Sequence, residues 1–377
     1  MIRKSDVKWW ILEARQHPES APDIIEELVK RLATLDEQNE KLRDRVIHLQ
    51  QHRPQMQTSS AQVQNLKRQV DVLKGMVDGE SSTENAIVFL SEQLQTARTS
   101  TSRIQDLVKK SQGLFGKRTL IDLCALLAAR PHDELLVLTN LSRGTKFLLP
   151  DIIPLIDETT WPAQGNQTLE SGERVTLAVV VGEPPRFWTT ATRRGYVQRF
   201  VRVAFDKQLS DGTPIPTSPF RNDPPVAIVN GEQGDIMLLT RWGEAVRFSQ
   251  RTIDVRGSVA TTLDPDDRCV AAVALPQETT LLIVTTSGQA TRYDTSKLKP
   301  IAKPGAKSRR IFLARDVMTM LPCPPASRLL YLTYSGKLFF TPTTDIPLQA
   351  RAGKGIQLHN TNKDPILAVT LVPEDWL

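Results

Sequence analysis

The sequence predicts an N-terminal all-α coiled coil followed by a C-terminal all-β propeller of five, or six, four-stranded blades. One phrase recurs five times along the second half: an apolar strand ending in Thr, a tight turn closed by Gly, then a strand with a basic–aromatic pair. The five glycines, at 144, 195, 243, 288 and 336, are separated by 51, 48, 45 and 48 residues. A period of roughly 45–50 residues made of short strands marks a propeller-like array. Ahead of the array, apolar residues between positions 25 and 49 recur at alternating steps of three and four. That is the pattern of a helix with one adhesive seam.

Four segments follow in order: a short helix over 1–22, an interrupted coiled coil over 23–112, a hinge with a short helix over 113–132, and the array over 133–377. In the first, Ser5 is a good N-cap ahead of Trp9, Trp10 and Ile11, which pack onto the stalk. In heptad register, position a of the second holds Ile25, Leu32, Asn39 and Val46, and position d holds Leu28, Leu35, Leu42 and Leu49. Leu at every d, aliphatic residues at a and a single Asn at a favour a parallel two-stranded coiled coil, with the Asn amides paired across the dimer. The alternative is a long amphipathic helix packed on its own chain. Pro54 breaks the seam, because it removes a donor and clashes with the preceding turn. Further seams run through Val63, Leu66, Val70, Leu73 and Val77, and through Ile87, Leu90, Leu94, Ala97, Thr101, Ile104 and Val108. A long interrupted stalk and a folded-back bundle both accommodate them. Lys109, Lys110, Lys117 and Arg118 surround two glycines before a helix-like run at 120–129, the pattern of a hinge, with a phosphate contact as the second reading.

Within the array each copy reads as a hairpin. In one, Thr240 ends a strand, Arg241 and Trp242 form the turn, and Gly243 supplies a backbone position that favours positive φ. Arg247 and Phe248 then form the basic–aromatic pair. A polar loop with basic residues follows, and then an apolar strand led by an acidic residue, as at Asp267, Asp316 and Asp364.

Bulk properties narrow the function classes. The net charge is +6, from 48 Lys+Arg and 42 Asp+Glu, and it divides evenly about residues 132 and 133. Such a balance is compatible with an acidic partner without requiring one. Cys124, Cys269 and Cys323 are dispersed and odd in number, which argues against a disulfide framework or a zinc knuckle. The chain has no apolar signal core and no apolar stretch of about 18 residues, so a cytoplasmic protein without a membrane partner is expected. His48 and His52 have the i, i+4 spacing of helix metal ligands, but no third ligand is placed beside them, and no metal is expected. No Walker loop, His-Glu-x-x-His, Gly-x-Ser-x-Gly or Cys-x-x-Cys occurs. No catalytic residue or cofactor is assigned, and the protein reads as a non-enzyme.

The recurring Thr-x-x-Gly-x-x-x-Arg-aromatic phrase, a basic loop with a Gly-Lys-Gly-Ile or Arg-Gly-Ser-Val element, and the acidic-led apolar strand resemble a known domain. It is the C-terminal β-pinwheel of DNA gyrase A and its topoisomerase IV counterpart. The resemblance runs from Asp133 to about residue 373. It implies a disc whose basic rim binds and bends duplex DNA without reading its sequence. It also implies a nucleoid location, and a strand-passage topoisomerase or another chromosome protein as partner. The matching rim positions are Arg193, Arg194, Arg199 and Arg202; Arg241, Arg247, Arg251 and Arg256; Arg292, Lys297, Lys299, Lys303, Lys307, Arg309 and Arg310; and Lys337, Arg351 and Lys354.

Two departures qualify the match. The family's supercoiling box, Gln-Arg-Arg-Gly-Gly-Lys-Gly, has its nearest copy in the degenerate stretch at 349–355, in the last blade rather than the first. The chain also leaves no room for a breakage-reunion domain. Binding or wrapping is therefore expected, rather than gyrase-like supercoiling. Tyr196, Tyr293, Tyr331 and Tyr334 fall within blade hairpins, as packing residues rather than nucleophiles. A propeller scaffold for protein–protein interaction, without DNA binding, is the second reading.

Overall fold

The computed structural model describes residues 84–111, 113–114, 122–155, 169–232, 234–349, 352–359 and 364–377, with seven single positions between 22 and 37. Those seven are α-helical and exposed, and all fall on outer heptad positions. The seam residues Ile25, Leu28, Leu32, Leu35, Asn39, Leu42, Val46 and Leu49 lie outside the described residues. The chain divides into two compact units, 1–74 and 75–377.

Six sheets form within the second unit. Each has a central first strand, a tight turn to a second strand on its outer side, and a third strand returning on its inner side. Sheet 1 uses Ala86–Ser91, Thr96–Ser100 and Leu123–Ala129. Sheet 2 uses Glu134–Thr139, Gly144–Leu148 and Val175–Val181. Sheet 3 uses Phe187–Thr192, Tyr196–Val201 and Pro225–Asn230. Sheet 4 uses Asp235–Thr240, Glu244–Ser249 and Cys269–Leu275. Sheet 5 uses Thr280–Thr285, Gln289–Asp294 and Val317–Pro322. Sheet 6 uses Ser327–Thr333, Leu338–Pro342 and Ile366–Pro373.

Sheet 1 corrects the sequence reading. Residues 86–100 and 123–129 are strands, not coiled-coil seam and hinge helix, so the array begins well before residue 133. Of the third seam, only Thr101–Lys109 is helical (α1). The cause is burial on both faces. Ile87 and Phe89 pack toward sheet 6, while Val88 and Leu90 pack toward sheet 2. A strand buried on both sides loses its period of two and cannot be told from a buried helix by periodicity.

The six turns share one construction. The strand ends in Thr139, Thr192, Thr240, Thr285 or Thr333, or in Ser91 in sheet 1. Its hydroxyl accepts from the N–H four residues on, at 2.9–3.3 Å. The residue three positions on is left-handed: Leu94, Ser142, Gly195, Gly243, Gly288 and Gly336, with φ between 58° and 85°. Such a turn with a bulge matches the twist of an antiparallel hairpin. Sheet 1 is thus a diverged copy in which Ser and Leu replace Thr and Gly. In sheet 2 the left-handed residue is Ser142, not Gly144.

Six apolar clusters fill the gaps between successive sheets. Leu135 and Val137 face sheet 1, whereas Leu136 and Leu138 face sheet 3. The alternation continues through Ile236 and Met237 to Leu329 and Leu330. The last cluster joins sheet 6 to sheet 1 through Leu330, Leu332, Ile87 and Phe89, which closes the ring. Burying each Leu or Ile contributes about 1.5–3 kcal/mol. The six inner strands surround an axial cavity of about 230 Å³.

The fourth strands are short straps, and each is supplied by the following sheet. Ser258–Val259 pairs with Tyr196–Val197, Arg309–Arg310 with Glu244–Ala245, and Ile356–Gln357 with Gln289–Ala290. One backbone bond seats each strap on the left-handed residue of the sheet before it. Ile215, Ala260, Ile311, Leu358 and Leu114 donate to the carbonyls of Ser142, Gly195, Gly243, Gly288 and Gly336 at 2.8–2.9 Å. Leu114 comes from the loop of sheet 1 and clips onto sheet 6. The expected four strands per blade hold only in part. Among the described residues three sheets have three strands, two have four and one has five. No helix among these residues is long and apolar enough to cross a membrane.

Candidate nucleic-acid interface

The straps put cations on the perimeter. Arg251 and Arg256 precede the strap on sheet 3, and Lys299, Lys303 and Lys307 precede the Arg309–Arg310 strap on sheet 4. Lys354 precedes the strap on sheet 5. All are exposed. Seven basic and no acidic residues lie between 295 and 315. Lys297 is 3.8 Å from Asp294, and Arg310 is 3.5 Å from Glu244. Both pairs are too open to Coulombic screening to remove the cations from solution. Exposed Lys109 and Lys110 precede the strap on sheet 6. Half-buried Arg202 and exposed Lys207, on a second helix at Arg202–Ser210 (α2), precede Ile215. Lys109, Lys110 and Lys207 are missing from the sequence-predicted rim. Their signal is position, a cation shortly before the apolar residue that seats each strap.

Other predicted rim residues are turned inward. The basic member of the basic–aromatic pair stands four residues after the left-handed turn residue, where it clamps the backbone. Arg247 is 7% exposed. It bonds Asp235 at 2.7 Å and the Thr295 carbonyl at 2.8 Å, with Glu278 at 3.3 Å. It is therefore unavailable to a phosphate, a correction to its predicted role. Half-buried Arg292 donates from Nε to the Ile346 carbonyl at 2.7 Å. Arg199 donates to the Gly231 carbonyl at 2.8 Å and lies 4.0 Å over the Phe187 ring. Burial, and then Arg251, push the Arg199 guanidinium below its ordinary value. Arg98 in sheet 1 makes the same contact, to the Ile152 carbonyl at 2.9 Å. A guanidinium suits this task because its fork of fixed donors satisfies several carbonyls at once.

Arg193, Arg194 and Arg241 stand exposed at turn tips, and Lys337 is exposed on the edge of sheet 6 beside Gly113. Arg351 lies outside the described residues, as do His48 and His52. Tyr196, Tyr293 and Tyr331 are buried, and burial raises the pKa of each hydroxyl. Tyr196 donates to the Arg256 carbonyl, and Tyr331 stacks on Phe339 at 5.1 Å. Among the described residues no group of three side chains is placed to hold a metal ion.

A closed ring of six sheets, five of them strapped among the described residues, with a cationic perimeter defines the class, a β-pinwheel. No protein-family model matches the chain. It is 22% identical over 329 residues to the A subunit of DNA gyrase from Mycobacterium leprae, covering 79% of the chain and 25% of that protein. To the Haloquadratum walsbyi protein it is 25% identical over 302 residues, covering 72% and 34%. To the Staphylococcus aureus protein it is 24% identical over 310 residues, covering 78% and 35%. The chain thus spans about a quarter to a third of the length of these relatives. Among solved structures, a DNA gyrase A C-terminal domain matches with a TM-score of 0.61 at 18% identity, over 76% of the chain and 99% of that domain. The C-terminal domain of DNA topoisomerase IV matches with 0.52 at 16% identity, over 78% and 94%. The fold is that of these domains.

Proposed function

We propose that this protein is a non-enzymatic architectural DNA-binding protein. Its β-pinwheel holds or wraps duplex DNA around the cationic perimeter, largely without regard to sequence, and its coiled coil joins two chains in parallel. The observation that carries this reading is the repetition of a cation-bearing strap from sheet to sheet. Cations recurring around a disc follow the path of a bent polyanion. Bending a 20–30 bp segment costs a few kcal/mol, up to about 10, and phosphate neutralisation with counterion release offsets that cost. Similarity to the gyrase A and topoisomerase IV C-terminal domains supports the same partner. In this reading strand passage is left to a topoisomerase or another chromosome protein at the cytoplasmic nucleoid.

Electrophoretic shift of a plasmid across a salt series tests the proposal. The logarithm of the affinity is expected to fall with that of salt, by about 0.9 per neutralised phosphate. The variant K303E/K307E/R309E/R310E is expected to bind at least about tenfold more weakly with a shallower slope. No binding at low salt, or an affinity that stays flat as salt rises, overturns the reading in favour of a protein-binding scaffold.

A further inference from the structure

At the turn tips one junction departs from the repeat. The Arg193 carbonyl accepts from the Cys269 N–H at 2.9 Å, and the Arg241 N–H donates to the Arg268 carbonyl at 2.8 Å. The same two bonds recur around the ring and bring together two turn residues and the residue before an inner strand. Between sheets 1 and 2 the three are Glu92, Asn140 and Arg174; between sheets 4 and 5 they are Arg241, Thr286 and Asp316; between sheets 5 and 6, Thr286, Tyr334 and Pro365. Between sheets 3 and 4 alone, among the described junctions, all three are arginines.

No carboxylate among the described residues forms an ion pair with them. The ion pairs of sheet 4 go to Arg247 with Asp235 and Arg310 with Glu244, and among the described residues none reaches these three. The Asp267 carboxylate beside them accepts from the Trp242 and Arg268 backbone N–H groups at 3.1 and 2.8 Å. Burial first, and then Arg193 and Arg241, push the Arg268 guanidinium below its ordinary value. Asp267 opposes that push only in part; three like charges held together work against folding, and such local conflicts concentrate at functional sites.

The junction opens into a cavity of about 610 Å³. One aromatic ring, Phe220, lies in its wall, and a second, Trp242, follows Arg241 in the same turn; each carries a further arginine. Arg194 lies 5.8 Å from the ring of Phe220, which is 42% exposed, and Arg315 lies 5.0 Å over Trp242. We propose that this junction binds single-stranded nucleic acid, with Arg193, Arg241 and Arg268 on the backbone phosphates and the two arginine–aromatic pairs as stacking surfaces for bases. Alternation of cations with flat rings is the chemistry of single-strand binding, in which stacking tolerates any base. The cavity admits a nucleotide but is too small for a duplex. Asp264 and Asp266 in its wall would oppose a bare phosphate, yet they can accept from the N–H donors of bases. The site lies on the turn tips, with Val259 and Thr261 of the sheet 3 strap in its wall, but its phosphate contacts are not the strap cations, so it does not rest on the duplex reading.

The test uses fluorescence anisotropy of the full chain with a labelled oligothymidylate of about 12 nucleotides and, separately, a labelled short duplex. R241Q/R268Q is expected to weaken oligothymidylate binding about tenfold or more. It should also lower the salt slope by about 0.7 for each phosphate no longer neutralised. Phe220→Ala and Trp242→Leu should each weaken it about fivefold or more, with duplex affinity little changed. Arg268→Lys, which keeps the charge, should retain most of the binding and guard against a folding defect. K303E/K307E/R309E/R310E should weaken duplex binding much more than oligothymidylate binding. The proposal is overturned if oligothymidylate does not bind or if R241Q/R268Q weakens both ligands equally. It is also overturned if the aromatic variants leave oligothymidylate affinity unchanged, since the site would then hold an anion alone.

Discussion

Gly195 and Gly243 occupy the same position of the same turn, with φ of 74° and 76°, but their surroundings differ. A methyl group at Gly195 would meet nothing closer than 3.7 Å, whereas one at Gly243 would run into the Phe312 carbonyl of the strap. Gly195→Ala should therefore cost only the left-handed penalty, about 1–2 kcal/mol. Gly243→Ala should cost at least about twice that, because the strap must also lift. Urea denaturation of the two variants checks this, and equal losses would mean that the strap is not seated on Gly243. Arg247 separates stability from binding in the same way. Removing it leaves Asp235 without its closest partner in a largely dry site, so Arg247→Ala should destabilise by about 3–5 kcal/mol. The plasmid affinity of the folded variant should stay within about twofold of wild type, because Arg247 offers no donor to a phosphate. A large loss of affinity at full folding would return Arg247 to the interface.

At the scale of elements, the turn phrase is legible in the sequence because it names atoms. Thr supplies the hydroxyl and Gly the left-handed backbone. Where Ser91 and Leu94 do the same work the phrase disappears, and sheet 1 with it. The straps are illegible for another reason, since a two-residue strand has no periodicity. The recurring arginine is legible as a repeat, but its direction is not. The same spacing suits a rim cation and an inward clamp, and only the carbonyls it meets decide between them. Ring closure rests on the strap least visible in the sequence, at Leu114, which is fully buried and donates to Gly336. Leu114→Ala removes that apolar packing at a cost of about 2–5 kcal/mol and should loosen the seam between sheets 6 and 1. Cys124, on the inner strand of sheet 1, packs on the sheet 2 side of that strand and reports the change once sheet 1 comes away from sheet 6. Burial, and then Glu92, push its thiol up to about 12, so at pH 8 only about one in ten thousand is ionised. Native protein should label very slowly, and the rate should rise as pH climbs toward the thiol's pKa. Leu114→Ala should speed labelling of Cys124 while Cys269, also held at about 12 by burial, stays protected. Equal acceleration of both would indicate global unfolding instead of an opened seam.

At the scale of the whole molecule, the strands of sheet 1 shorten the segment available to a coiled coil. The array takes up the chain from Ala86 onward, so the seam from Ile25 to Leu49 and the shorter one after Pro54 must provide any dimer. A parallel two-stranded coiled coil with a single Asn at position a accepts lower stability for a defined register and partner number. Asn39→Val should therefore raise the melting temperature of the dimer while admitting other oligomers, seen by sedimentation of the full chain. Charges at two d positions should act in the opposite direction. L35K/L42K should sediment as a monomer, because four lysines would face one another across the seam. Each monomeric disc keeps all its straps, so its affinity for a short duplex should match that of wild type. What it should lose is the second disc. Once one disc of a dimer is bound, a tether able to span both sites holds the other at an effective concentration of about millimolar. Wild type should then pull down an unlabelled duplex on a biotinylated one, and L35K/L42K should not. Loss of bridging with short-duplex affinity intact assigns the stalk the task of joining two DNA segments. A wild-type monomer, or bridging that survives L35K/L42K, would place any such joining in the disc itself.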